Sequence, residues 1–163
     1  MHKRWNPGWK KLMSDILVDT GFLLGLYDNR DQYHDRARQH FVQYFGPTRN
    51  RLIVCWPILY ETVSTRFVKK NRPGMILLQT DWTRLAAQRR LELLSDLQFR
   101  DRIVEECFDE LRKPIRQSRN LSAVDRVIRR VLSNPAVRID AFLTFNPGDF
   151  ADVCARSNTP MVS

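Results

Sequence analysis

Apolar residues are spaced in two ways along this chain, and the alternation between them predicts its architecture. Short uninterrupted runs (Ile16, Leu17 and Val18; residues 52–56; residues 141–144) have no polar alternation, as in strands buried on both faces. Between them lie stretches of helical period. A helix is predicted over 21–27, followed by turn chemistry at 28–31. A second covers 34–44, with Ala37, Phe41, Tyr44 and Phe45 on one side and Gly46 and Pro47 closing it. Pro57 opens a third helix reaching about residue 67, since a first-turn proline loses no hydrogen bond. A basic loop is expected over 69–74, a helix around 83–88, a short edge strand over 90–94 and a helix over 101–113. From Ser122, Val124, Val127, Ile128, Val131 and Leu132 follow i, i+3, i+4, i+7, i+8, with Arg126, Arg129 and Arg130 predicted on the opposite, polar face. Met161 and Val162 can add a last short strand. Strands alternating with helices imply a single α/β domain over 14–163 with a parallel sheet, preceded by an extension over 1–13.

Composition narrows the partners. The apolar fraction of 43% and charged fraction of 28% are those of a globular protein. Lys and Arg number 27 against 18 Asp and Glu, a net charge of +9 that favours polyanions, nucleic acid first. Cys55, Cys107 and Cys154 form no C-x-x-C pair, so buried free thiols in a reducing compartment are expected. His2, His34 and His40 lack zinc-ligand spacing, which argues against a structural zinc. The extension is basic and aromatic (Lys3, Arg4, Trp5, Trp9, Lys10, Lys11) without an apolar core, unlike a secretory signal. No apolar run approaches membrane-spanning length. A cytoplasmic protein with no membrane partner is the expectation.

The candidate chemistry lies in carboxylates at strand ends and helix starts. Asp19 closes the first apolar run; it can cap the next helix, or face the crevice where parallel sheets bind ligands. Glu61 sits one turn into the helix after the second strand, among apolar neighbours. Asp125 stands three residues after Ser122, a capping-box spacing with Asp at the third position, yet on the flank of the buried stripe. Asp140 and Asp149 bracket the late strand, and Asn146 occupies its end within a turn sequence, Asn146, Pro147, Gly148. Acids gathered in one crevice repel, by about 4 kcal/mol per pair at 4 Å and an effective dielectric near 20. A hard cation such as Mg²⁺, which takes oxygen ligands, relieves that repulsion.

Taken together, these motifs resemble the PIN domain, a small metal-dependent nuclease fold. The resemblance rests on residues 17–23, on Pro57 through residue 67 with Glu61, on 121–125, on 141–150, and on Tyr33 to Ala37 as the family's second helix. It implies a three-layer α/β/α fold with a central parallel sheet. Asp19, Glu61 and Asp125 then form the acidic triad holding Mg²⁺ or Mn²⁺. Asn146 stands where the family often has a fourth acid, with Asp149 as the nearby carboxylate able to serve. Thr20 and Thr144 match small hydroxyl positions that place a water or phosphate. The implied activity is metal-dependent endoribonuclease cleavage of RNA, similar to VapC-type toxins of toxin–antitoxin pairs, with a homodimer and a small antitoxin protein as partners. Lys69, Lys70, Arg72, Arg116 and Arg119 are the basic residues expected to position RNA. Two further readings are an inactive RNA-binding or assembly module on the same fold, and a DNA-binding repressor using the arginine-rich helix after Ser122.

Overall fold

The computed structural model describes residues 13–64 and 66–163, so the basic aromatic extension lies outside the described residues except for Met13. Five parallel strands form one sheet in the order β3-β2-β1-β4-β5: β1 Asp15–Val18, β2 Arg51–Cys55, β3 Leu91–Leu94, β4 Ala141–Leu143 and β5 Met161–Val162. Register is set by the apolar runs, with Ile16 beside Leu52 and Ala141, and Leu17 beside Ile53 and Phe142. Leu17, Val18, Leu52, Val54, Phe142 and Leu143 are fully buried, which explains why these segments show no polar alternation. At the amino ends Arg51 clamps Asp15 at 2.6 and 2.8 Å and reaches Glu92 at 2.7 Å, tying three strands together.

Helices cover both faces. After β1 come α1 (Thr20–Tyr27) and α2 (His34–Phe45). After β2 come α3 (Trp56–Ser64), α4 (Arg66–Lys70) and α5 (Arg72–Ala87). After β3 come α6 (Arg100–Leu111), a 3-10 turn Ile115–Gln117 and α7 (Ala123–Ser133). α8 (Ala151–Ser157) links β4 to β5. Right-handed crossovers put connections running toward β3 on one face and those returning toward β5 on the other. Accordingly α1 packs on α2, α3 and α5, whereas α7 packs on α6 and α8. This is the expected three-layer α/β/α architecture. The chain reverses direction between β1 and β4, leaving a crevice at their carboxyl ends, where such sheets bind ligands.

Several sequence expectations need correction. Residues 69–74 are not a loop: Lys69 and Lys70 end α4, Asn71 caps α5 by accepting from the Gly74 N–H at 3.0 Å, and Pro73 falls in the first turn, where proline is tolerated. The helix expected over 83–88 is the last part of this longer α5. Trp56 starts α3 rather than ending β2. α8 is too short to show a period and was not expected. The arginines of α7 do not form a solvated face, because α6 and α8 lie against them. Arg126 is 8% exposed and pairs with Glu110 at 3.3 Å; Arg130 binds Glu106, and Arg129 grips Asp152 at 2.7 and 2.8 Å. Guanidiniums held in this way are not available to read a DNA groove. Burial pushes the thiols of Cys55 and Cys154 up to about 12 and 11, as expected for inert core cysteines. Among the described residues, no helix is long and apolar enough to cross a membrane.

Candidate active site

Asp19 follows β1 and caps α1: its Oδ1 accepts from the Phe22 N–H at 2.7 Å. The cap leaves the carboxylate buried, 6% exposed, at the mouth of the β1/β4 crevice. Across the crevice Thr144, directly after β4, donates its hydroxyl to Asp19 Oδ2 at 2.5 Å. The Thr144 hydroxyl oxygen in turn accepts from the Asn146 N–H at 2.9 Å. One buried hydroxyl thus joins the end of β1 to the turn after β4. Burial pushes the Asp19 carboxyl up to about 6, against the lowering hydrogen bonds from Thr144 and Phe22, and the negative charge of Asp125 adds to the rise.

Asp125 takes the capping role considered for it. Ser122 and Asp125 form a complete capping box, with the Ser122 hydroxyl accepting from the Asp125 N–H at 3.1 Å and Asp125 Oδ2 accepting from the Ser122 N–H at 3.0 Å. The box fixes the first turn of α7 at the carboxyl end of the sheet, within electrostatic range of Asp19. Glu61, on α3, accepts from the Thr20 hydroxyl. Since Thr20 follows Asp19 in the chain, this bond ties Glu61 of α3 to the start of α1.

The fourth acid is placed differently. Asn146 donates its side-chain amide to Asp149 Oδ2, and Arg129 donates to the Asp149 carbonyl at 2.5 Å. Asp149 therefore connects to Asp19 through the Asn146 and Thr144 relay. Asp140 lies at the other end of β4, bound to the Asp15 N–H at 2.9 Å and to Arg138 at 2.8 Å, too far along the strand to join the crevice. Among the described residues, no three His, Cys, Asp or Glu side chains converge closely enough to enclose a metal ion. Asp125 is the acid whose negative charge acts on the Asp19 carboxyl.

Sequence reasoning missed the groups that hold these elements in place. Arg129 bridges α7 to α8 and to the turn at Asp149, while Asp152 also receives Arg119 at 3.2 Å and Arg156 at 3.1 Å. Arg119 is therefore paired with a carboxylate, while 56% of its side chain stays exposed. Phe145 stacks on Tyr33 with centroids 4.5 Å apart, clamping the start of α2 against the turn after β4. Both contacts join residues distant in sequence, so no local pattern announces them.

No protein-family model matches the sequence, and no curated protein sequence matches it. The structure does match the crystal structure of VapC20 from Mycobacterium tuberculosis, described as a toxin that cleaves the sarcin-ricin loop. The match has a TM-score of 0.60 and 14% sequence identity, and covers 84% of this chain and 94% of that one. A likeness at that identity is one of fold, and it accords with the sheet order, the helical layers and the crevice described above: this chain has a PIN-like fold.

Proposed function

We propose that this chain is a divalent-metal-dependent endoribonuclease, the toxin of a toxin–antitoxin pair acting in the cytoplasm. The observation that carries the reading is Asp19, a buried carboxylate held at the switch point of a PIN-like sheet with Asp125 as its charged neighbour. The residues fit a cation: Mg²⁺ often takes one or two carboxylates and fills its remaining positions with water and phosphate. Asp19 and Asp125 would hold Mg²⁺ or Mn²⁺, with Glu61 as a further ligand or a base acting through water. Such an ion neutralises a scissile phosphate and acidifies a water. The chain's own residues set the geometry. Thr144 fixes the Asp19 carboxylate, Thr20 orients Glu61, and the Ser122 cap fixes Asp125. Exposed Lys69, Lys70, Arg72 and Arg116 add positive charge for the RNA backbone.

A second reading, a weak or inactive PIN-like RNA-binding module, is favoured by one observation: Asn146 holds Asp149 in the turn, leaving fewer carboxylates for the crevice. The test is RNA incubated with the full chain in Mn²⁺ and in EDTA. Cleavage in Mn²⁺ alone supports the nuclease; salt-sensitive binding of RNA that stays intact under both conditions supports the module.

The proposed homodimer has a candidate face. Val104, Phe108, Leu111 and Ile115 are 52 to 89% exposed and spaced i, i+4, i+7, i+11 along α6 and the turn beyond it. Phe108→Glu is expected to shift a dimer to monomer in sedimentation velocity without changing the circular dichroism. A sedimentation coefficient equal to that of the native chain would exclude this face.

A further inference from the structure

Two aromatic rings lie at the same end of the sheet as Asp19. Trp56 opens α3 directly after β2, and Tyr60 follows one turn later, so the two share a helix face. Their centroids are 5.6 Å apart and their planes tilt by 36°. Tyr60 is 56% exposed, which core packing does not explain. The residue after Tyr60 is Glu61, joined through Thr20 to the Asp19 crevice.

An exposed aromatic face is one way proteins hold an unpaired base, because the ring stacks on the base whatever its sequence. A duplex keeps its bases stacked inside and offers no such face. We propose that Trp56 and Tyr60 form a stacking subsite for an unpaired nucleobase at the carboxyl end of the sheet, on the helix that carries Glu61. This subsite rests on the reading of the chain as RNA-acting, and it makes the substrate single-stranded where it enters.

The test uses the full chain in EDTA, where binding is read without cleavage. Fluorescence anisotropy follows a labelled short oligoadenylate and an RNA duplex of equal length. Tyr60→Leu is expected to weaken oligoadenylate binding about 5- to 100-fold and duplex binding by less than about twofold. Tyr60→Phe, which keeps the ring, is expected to bind within about twofold of the native chain. Thermal unfolding of each variant confirms that the fold is intact. Equal affinities of the Leu variant and the native chain overturn the subsite; so does an equal loss in the Phe variant, or a native chain that does not bind oligoadenylate. Cleavage in Mn²⁺ is scored separately. A chain that shows the Tyr60 dependence but cuts nothing keeps the subsite and loses the nuclease reading, and one that cuts without that dependence does the reverse.

Discussion

Asp19→Asn is expected to lower Mn²⁺-dependent RNA cleavage by at least about 100-fold, the scale on which loss of one preorganised electrostatic contact acts. The same substitution is expected to leave the chain as stable as before, or more stable, at neutral pH. Asn retains the cap, because its carbonyl oxygen can still accept from the Phe22 N–H. It also removes a buried charge. The folded carboxyl titrates near 6 rather than 3.8, so the folded state favours its protonated form. Its contribution is complete below pH 3.8 and is lost as pH rises through 6. The native chain should therefore lose up to about 3 kcal/mol relative to the Asn variant between pH 4 and pH 6. Urea unfolding at a series of pH values reads this directly, and parallel curves for the two proteins would contradict it. Mn²⁺ binding only the folded native chain should raise its midpoint and leave that of the variant unchanged. Undiminished cleavage by the variant would remove Asp19 from the chemistry altogether.

Gly74→Ala is expected to destabilise the fold by about 3 kcal/mol, lowering the melting temperature by roughly 10 °C. A Cβ at Gly74 would lie 2.2 Å from the Tyr27 carbonyl oxygen and 2.8 Å from both Asn71 Nδ2 and Phe67 Cε2. The nearest of these is backbone and cannot rotate away. It is also the acceptor for the Asn71 amide at 3.1 Å, so moving it disturbs the cap of α5 as well as the end of α1. Calorimetry of the variant measures the effect. An unchanged melting temperature would mean that α5 docks on α1 more loosely than these distances imply. The control is Gly148→Ala, where a Cβ meets nothing within 4 Å and little change is expected.

Gly74 also shows why part of the fold was hidden in the sequence. Its neighbours Lys69, Lys70, Asn71, Arg72 and Pro73 look like loop chemistry, since Asn, Pro and Gly all interrupt regular structure. Each has a helical use here: Asn71 caps, Pro73 occupies the first turn, and Gly74 admits the Tyr27 carbonyl. Only the position of α1 decides between the two uses. The α7 arginines were misplaced for a related reason. Periodicity separates an apolar stripe from a polar one, but it does not say whether a second helix bearing Glu106 and Glu110 will cover the polar side.

What the sequence determined by itself follows from local physics. Unbroken apolar runs require strands buried on both faces, and β1, β2 and β4 form where those runs lie. The capping chemistry of Asp19 and Ser122 starts α1 and α7 as the spacing implies. Candidate acids at those starts were therefore legible, each with a cap as its sufficient structural explanation. Tertiary structure decided which of them meet. The reversal of crossover direction between β1 and β4 opens the crevice, and the Thr144 hydroxyl and the Thr20 to Glu61 bond tie its walls together. The charge of Asp125 acts on Asp19 because α7 starts at the same end of the sheet. Asp149 stays with Asn146 because a bond within the turn holds it there. Electrostatic coupling depends on distance in space, and residues about a hundred positions apart acquire that distance only from the crossovers between strands.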